Sequence, residues 1–332
     1  MCIVFDYIQK YPSRTKQILG ISHEQFQALL QSALKEHLQI QEEKEKQKVR
    51  INYPGGGRKE ILSNSEQICL CLFYLRQIPT FEILGMLFGI SKSEAHVTFH
   101  YWRNIIRGIL PSSLLEQVEE QEGNFMMVQE ILTNFQLLVD SLEQHASPLN
   151  GGNPRTRLAP INRPSDNEEQ KKFYSGKKKQ HTLKSQLVGL PNGKDIIDVL
   201  VGFPGPTSDI NLFRKQQKKF DSEQKFEGDK GYQGGKNITT PHKKKRKQQL
   251  SEQQKAENKI LSSKRIFIEH LIRLVRIFKI TSQRFGLNSN IYKEIILTVC
   301  GESALREGFP PQATANPKGL VRLRIGTLVL TR

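Results

Sequence analysis

Over residues 22–109 apolar residues recur at helical spacing, and further along the chain the period shortens toward that of strands. Residues 22–37, SHEQFQALLQSALKEH, predict an amphipathic helix opened by Ser22. Ser63-Asn64-Ser65-Glu66 has the form of a capping box and introduces a helix over Gln67–Gln77. Pro79-Thr80 starts a short helix, Phe81–Phe88, and Gly89-Ile90 makes a turn. Ser91-Lys92-Ser93-Glu94 is a second capping box, opening a helix that runs to about Ile109. A short helix, a glycine turn and a capped longer helix form the helix-turn-helix pattern. In that arrangement Lys92, Ser93, His96 and, further along, His100 face a major groove, while Val97, Trp102 and Ile105 or Ile106 pack inward. A plain three-helix bundle has the same pattern; charge and turn chemistry favour the nucleic-acid reading.

Pro111 ends this region, and the Glu- and Gln-rich stretch Leu114–Glu122, a helix or coil, reads as the linker. From about residue 124 strands are expected. Phe135–Val139 is a short apolar run ending in Asp140, and His181–Leu190 and Asp195–Phe203 are strand-like runs joined by a hairpin signal, Pro191-Asn192-Gly193-Lys194. Asp209 precedes a short helix, Ile210–Gln217, and the strand Lys225-Phe226-Glu227 leads into Gly228-Asp229-Lys230-Gly231-Tyr232. A basic loop and a long helix, about Ser251–Ile280, follow. Three strands, a helix, a strand and then helices is the order of an RNase-H-like domain. The expected fold class is therefore α/β: an N-terminal all-α helix-turn-helix domain followed by an RNase-H-like mixed-sheet catalytic domain. The expected boundaries are a helical segment at 1–50, the helix-turn-helix at 51–112, a linker at 113–130 and the nuclease-like domain at 131–332.

Composition narrows the partner. The 332 residues suffice for two domains with their own cores, and 37% hydrophobic with 25% charged residues is globular. Fifty Lys and Arg against 33 Asp and Glu leave a formal charge of +17, which favours a polyanion because neutralised phosphates release counterions. A merely basic or ribosome-associated protein shares that balance. Four cysteines are too few and too scattered for a disulfide framework or a zinc site, and Cys69 and Cys71 read as buried free thiols. No apolar run has the length of a membrane span and MCIVFDYIQK lacks a signal layout, so a reduced, cytoplasmic and nucleoid-associated setting is expected. Gly55-Gly56-Gly57-Arg58-Lys59 is a basic hinge, either a linker or an arm along a phosphate backbone. Lys177-Lys178-Lys179 and Lys243-Lys244-Lys245-Arg246-Lys247 are loop charges suited to nonspecific phosphate contact.

Three carboxylates are candidates for chemistry. Asp140 and Asp229 each follow an apolar strand, and in this topology the first and fourth strands are adjacent, bringing the two acids together. Like charges so close call for a cation between them, and hard divalent ions with oxygen ligands suit the site. Either Asp alone is equally compatible with merely ending a strand. Glu269 lies in a narrow polar sector with Arg265, Arg273 and Arg276 on an otherwise apolar, largely buried helix. That sector is either a salt-bridged face or the presentation of Glu269 to a metal with the arginines on phosphates.

Gly228-Asp229-Lys230-Gly231-Tyr232-Gln233-Gly234, the segment Ser175–Lys184, Pro204-Gly205 through Ser208-Asp209, and Arg163-Pro164 through Gln170 resemble bacterial insertion-sequence transposases of the DDE superfamily endonuclease type, relatives of the Harbinger transposases. The likeness runs from about residue 55 to the C-terminus. It implies an RNase-H-like fold whose Asp-Asp-Glu triad binds Mg2+ (or Mn2+), two ions, with Asp140, Asp229 and Glu269 in those places. It also implies double-stranded DNA as partner, held by Lys92, Ser93, His96, Lys177, Lys178, Lys179, Lys184, Arg265, Arg273 and Arg276, and homo-oligomers on DNA. Arg265 fills the arginine place of the glutamate signature, Arg276 stands where lysine is usual, and Ser262 replaces its tyrosine. Asp209 also matches, as an accessory ligand or an N-cap. Two stretches depart from the family, 145–159 and 302–316, and read as insertions. The expected function is binding of transposon ends with metal-dependent cleavage and strand transfer; the alternative is an impaired, DNA-binding descendant that represses its element.

Overall fold

The computed structural model describes residues 2–48, 60–119, 122–145, 171–176, 179–244, 249–283, 285–287 and 289–306. The glycine hinge at 55–59, Lys177, Lys178, Lys245–Lys247 and most of the two presumed insertions lie outside these residues.

Helices α1 (Ile3–Lys10), α2 (Thr15–Leu19) and α3 (His23–Gln47) lead into α4 (Asn64–Gln77), α5 (Phe81–Phe88) and α6 (Lys92–Ile109). The capping boxes at Ser22 and Ser63 form in full, and Thr80 and Ser91 cap α5 and α6 through their hydroxyls. Each cap satisfies a backbone N–H that would otherwise lack a partner. Gly89 ends α5 at φ 70°, a left-handed position at which glycine carries no Cβ strain, and so makes the turn into α6. Trp102 is fully buried and its indole N–H donates to Gln67 Oε1 at 2.7 Å, joining α6 to α4.

Helices continue past Pro111. The stretch expected to be a linker carries α7 (Leu114–Glu119) and α8 (Glu122–Thr133). Leu114, Leu115, Val118, Val128 and Leu132 are buried against one face of the sheet with Leu137, Val139, Val188, Ile197 and Phe226. Burial of these side chains overrides the polar composition on which the linker expectation rested.

The sheet runs β4–β3–β1–β5–β6, with β2 pairing the start of β3. Its strands are β1 (Gln136–His145), β2 (Tyr174–Ser175), β3 (Gln180–Gly189), β4 (Ile196–Pro204), β5 (Lys225–Glu227) and β6 (Ile238–Thr239). β1, β3 and β4 are antiparallel neighbours, whereas β5 and β6 run parallel to β1. With α9 (Asp209–Gln216) between β4 and β5 this is RNase-H-like order. Helices α10 (Glu252–Arg276), α11 (Lys279–Ser282) and α12 (Tyr292–Arg306) complete the described chain.

Leu138, Leu142, Leu187 and Val199 on the second sheet face meet Ile268, Leu271, Ile272 and Val275 of α10 in a core that is continuous with that of the N-terminal helices. Arg107 at the end of α6 pairs with Glu116 of α7 and lies 3.5 Å from Glu294 of α12. The helix-turn-helix is thus docked on the sheet through a shared apolar core.

Three expectations about individual elements need correction. Asp140 lies within β1, since that strand continues to His145. α10 is amphipathic: Ile266 and Phe267 are exposed, because the apolar run there is wider than the face the sheet covers. α12 continues through Arg306 with Glu302 and Ser303 buried, so the helix runs into the start of the stretch read as an insertion.

Candidate active site and nucleic-acid interface

Asp140 reaches the site because β1 alternates. Leu137 and Val139 face α7 and α8, while Leu138, Asp140 and Leu142 face α10. Its Oδ1 accepts from the Ser141 N–H at 2.8 Å and its Oδ2 accepts from Arg265 Nη2 at 3.0 Å. Burial pushes the Asp140 carboxyl above its ordinary value, Arg265 pulls it back, and the negative charge of Asp229 raises it further. The two aspartates therefore feel one another across the β1–β5 pairing.

Asp229 follows β5 and caps a single tight turn, accepting from the Gly231 N–H at 2.6 Å. A Cβ on Gly231 would lie 2.8 Å from both Asp229 Oδ1 and Asp209 Oδ2, so only glycine lets these two carboxylates close around it. Asp209 is the first residue of α9 and does not cap it; Ser208 holds the N-cap position. Its carboxylate instead accepts from Lys184 Nζ at 3.1 Å, and the same ammonium donates to the Thr207 carbonyl at 2.8 Å. Lys184, expected to hold DNA, is buried and spends its donors inside the protein. Beneath the cluster lies Tyr232, fully buried; burial raises its phenol well above the ordinary value, and Asp140, Asp209 and Asp229 each add to that. Three aspartates thus act on one hydroxyl.

Glu269 joins through Arg265, whose Nη2 is 3.8 Å from Glu269 Oε1. A cleft of about 310 Å³ is lined by Asp140, Ser141, Glu269, Ile272, Arg273 and Arg276. Arg273 and Arg276 are exposed on its rim. Asp140, Asp229, Glu269, Arg265, Arg273, Arg276 and Asp209 are accordingly gathered in one region. Among the described residues no three ligand-type side chains stand in metal-holding geometry. The Arg265 guanidinium sits between Asp140 and Glu269, where a cation would bind. The donor chemistry fits a hard divalent ion: every candidate ligand is a carboxylate, and one of them is pushed up by burial and, to a lesser degree, by a like-charged neighbour.

On the helix-turn-helix, Lys92, Ser93 and His96 are exposed on the first turns of α6. His100 is half-buried, and burial with His96 and Arg103 beside it lowers its pKa to about 4, leaving it neutral. Val97 is 65% exposed and does not pack inward, because the buried face of α6 runs through Ala95, Phe99, Trp102 and Ile106. Lys179 is exposed. The pairs Arg265–Asp140 and Lys184–Asp209 are formed by the packing of α10 and α9 against the sheet, which no local sequence signal carries.

Two adjacent-strand aspartates on an RNase-H-like sheet, behind a helix-turn-helix with an exposed basic start, define a class of DNA-handling nuclease. Residues 156–301 match the DDE superfamily endonuclease family, and residues 61–112 match the helix-turn-helix of DDE superfamily endonuclease. A probable transposase for insertion sequence element IS702 from Microchaete diplosiphon is 33% identical over 246 residues, covering 71% of this chain and 80% of that protein. The chain belongs to the DDE superfamily endonucleases and is a transposase of that family. The family match takes in Asp209, Asp229 and Glu269 and begins after Asp140. A chain of the pre-cleavage Mos1 transpososome is similar at a TM-score of 0.17 and 10% identity, covering 81% of this chain and 85% of that one. A likeness at that level carries no argument. No helix among the described residues is long and apolar enough to cross a membrane.

Proposed function

We propose that this transposase binds the ends of its element through α6 and cuts a phosphodiester there with Asp140, Asp229 and Glu269. The observation that carries this reading is the approach of Asp140 and Asp229 across the β1–β5 pairing, with Glu269 opposite on α10. These three residues hold divalent metal ions, Mg2+ or Mn2+ and two in number, with Asp209 as an accessory ligand. Bound there, such ions neutralise charge on the scissile phosphate and lower the pKa of an attacking oxygen.

The other side chains position the substrate. Arg273 and Arg276 on the rim of the cleft hold the phosphates on either side of the scissile bond. Lys92, Ser93 and His96 contact the element's ends, and Lys177, Lys178 and Lys179 with Lys243 and Lys244 add nonspecific phosphate contacts. After hydrolysis the freed 3′-hydroxyl attacks a target-DNA phosphorus in line at the same carboxylates, forming a new phosphodiester as the bond to the target strand's own 3′-oxygen breaks and that oxygen leaves as a hydroxyl. Joining two ends calls for more than one subunit on the DNA, and such a protein works at the nucleoid.

A second reading follows from the position of Asp140 before the family match and from the segment 146–159 behind β1. In it the chain binds its element's ends without cutting and represses transposition. A duplex carrying the DNA that flanks the gene, incubated with the full chain and Mg2+, separates the two. Nicking at the element's end is expected; a gel shift without any nick would establish the repressor instead.

A further inference from the structure

Glu227 is the charged residue of this region that the nuclease reading leaves unused. It ends β5 in register with Leu138 of β1, two residues before Asp140 on one strand and two before Asp229 on the other. Residues in register across a strand pair share a face, so the Glu227 carboxyl lies on the α10 side with Leu138 and Asp140. It is 1% exposed, and neither of its oxygens has a hydrogen-bond partner among the described residues. Lys264 Nζ approaches Oε2 only to 3.9 Å.

Arg265, next along α10, shows the complementary deficit. Its Nη2 serves Asp140 and faces Glu269, while its Nε is buried without a partner. A buried carboxylate with idle oxygens and a half-buried guanidinium with a buried, idle Nε each carry a desolvation cost that pairing would offset. Both lie over the same seam between β1 and β5, beneath α10.

We propose that Glu227 is the second seat of the Arg265 guanidinium, holding it when a divalent cation takes its place at Asp140 and Glu269. Arg265 is then a resident counter-ion. It keeps the carboxylates from repelling one another while no metal is bound, and metal binding is an exchange of partners within the protein. Glu227 acts through Arg265 and is a positioning residue. This inference rests on the metal-site reading above, and on the protein's own side chains for the exchange.

The test uses the full chain and Mn2+ alone, with free Mn2+ followed by electron paramagnetic resonance and a thermal melt as check of folding. Arg265→Gln removes the competitor and should tighten Mn2+ by about tenfold, the scale of a typical coupling between two sites. Glu227→Gln leaves Arg265 only Asp140 and Glu269 to pair with, and should weaken Mn2+ about fivefold. In the Arg265→Gln background the same Glu227→Gln change should matter less than about twofold, because its effect passes through the arginine. Should Glu227→Gln fail to fold, Glu227→Asp in both backgrounds serves the same comparison. Equal weakening in both backgrounds would make Glu227 a direct influence on the ion and overturn the proposal. So would unchanged or weaker Mn2+ binding in Arg265→Gln while the wild type binds Mn2+ in a manner sensitive to Asp229→Asn. Absence of Asp229-sensitive binding in wild type and Arg265→Gln alike would overturn the metal-site reading together with this one.

Discussion

Glu302 lies fully buried on α12, with neither carboxylate oxygen hydrogen-bonded among the described residues, and burial raises its pKa well above the ordinary carboxylate value. The folded protein therefore prefers it protonated, while the unfolded chain ionises it above about pH 4.3. Its contribution to stability is fully present below that pH and declines as pH rises toward the folded value, because the native state then binds the extra proton. Glu302→Gln keeps the neutral shape. At pH 7 it should stabilise the chain by about 1–3 kcal/mol in denaturant unfolding, and at pH 4 the difference should vanish. A wild-type-like midpoint at pH 7 would show that the carboxyl is satisfied in solution. The Asp140–Arg265 pair is of another kind. Both side chains are under a fifth exposed and each has a partner in the other.

The helices were legible where the chemistry of their ends is local. Ser63, Thr80, Ser91 and Gly89 fix the boundaries of α4, α5 and α6 within three residues, because a cap depends on three or four neighbouring residues. Ser91→Ala should accordingly cost about 0.5–2 kcal/mol in chemical denaturation and loosen the first turn that carries Lys92 and Ser93; no loss would mean that the cap is made by other atoms. β3, β4 and β5 were legible from apolar runs between turn signals. α7 and α8 were not, since Gln117, Glu119 and Glu122 make their surroundings look like a linker and only the sheet face reveals what Leu115, Val118 and Leu132 bury. The extension of β1 past Asp140 was hidden for a similar reason. Ser141, Glu143 and Gln144 are polar, yet β3 pairs with them in register to His145. Lys184 shows the limit for single residues: its place beside Asp209 depends on how β3 meets α9.

Taken as one assembly, the protein joins its helix-turn-helix to a carboxylate site through continuous packing. Arg107 ties α6 to α7 and α12, and the core of the N-terminal helices runs into that of α10. The proposed binding and cutting surfaces thereby sit on one packed body, and on this proposal they are separable by mutation, because Lys92, Ser93 and His96 lie on α6 while Asp229 follows β5. The account stands on Asp140 and Asp229 acting on one phosphate. Cleavage of an end-bearing duplex by Asp229→Asn, beside a gel-shift titration of the same DNA, tests this most directly. The variant should lose cleavage by a factor of at least about 10³, on the scale of removing a group that acts as part of a catalytic unit, with binding unchanged. Cleavage at the wild-type rate would contradict the assignment.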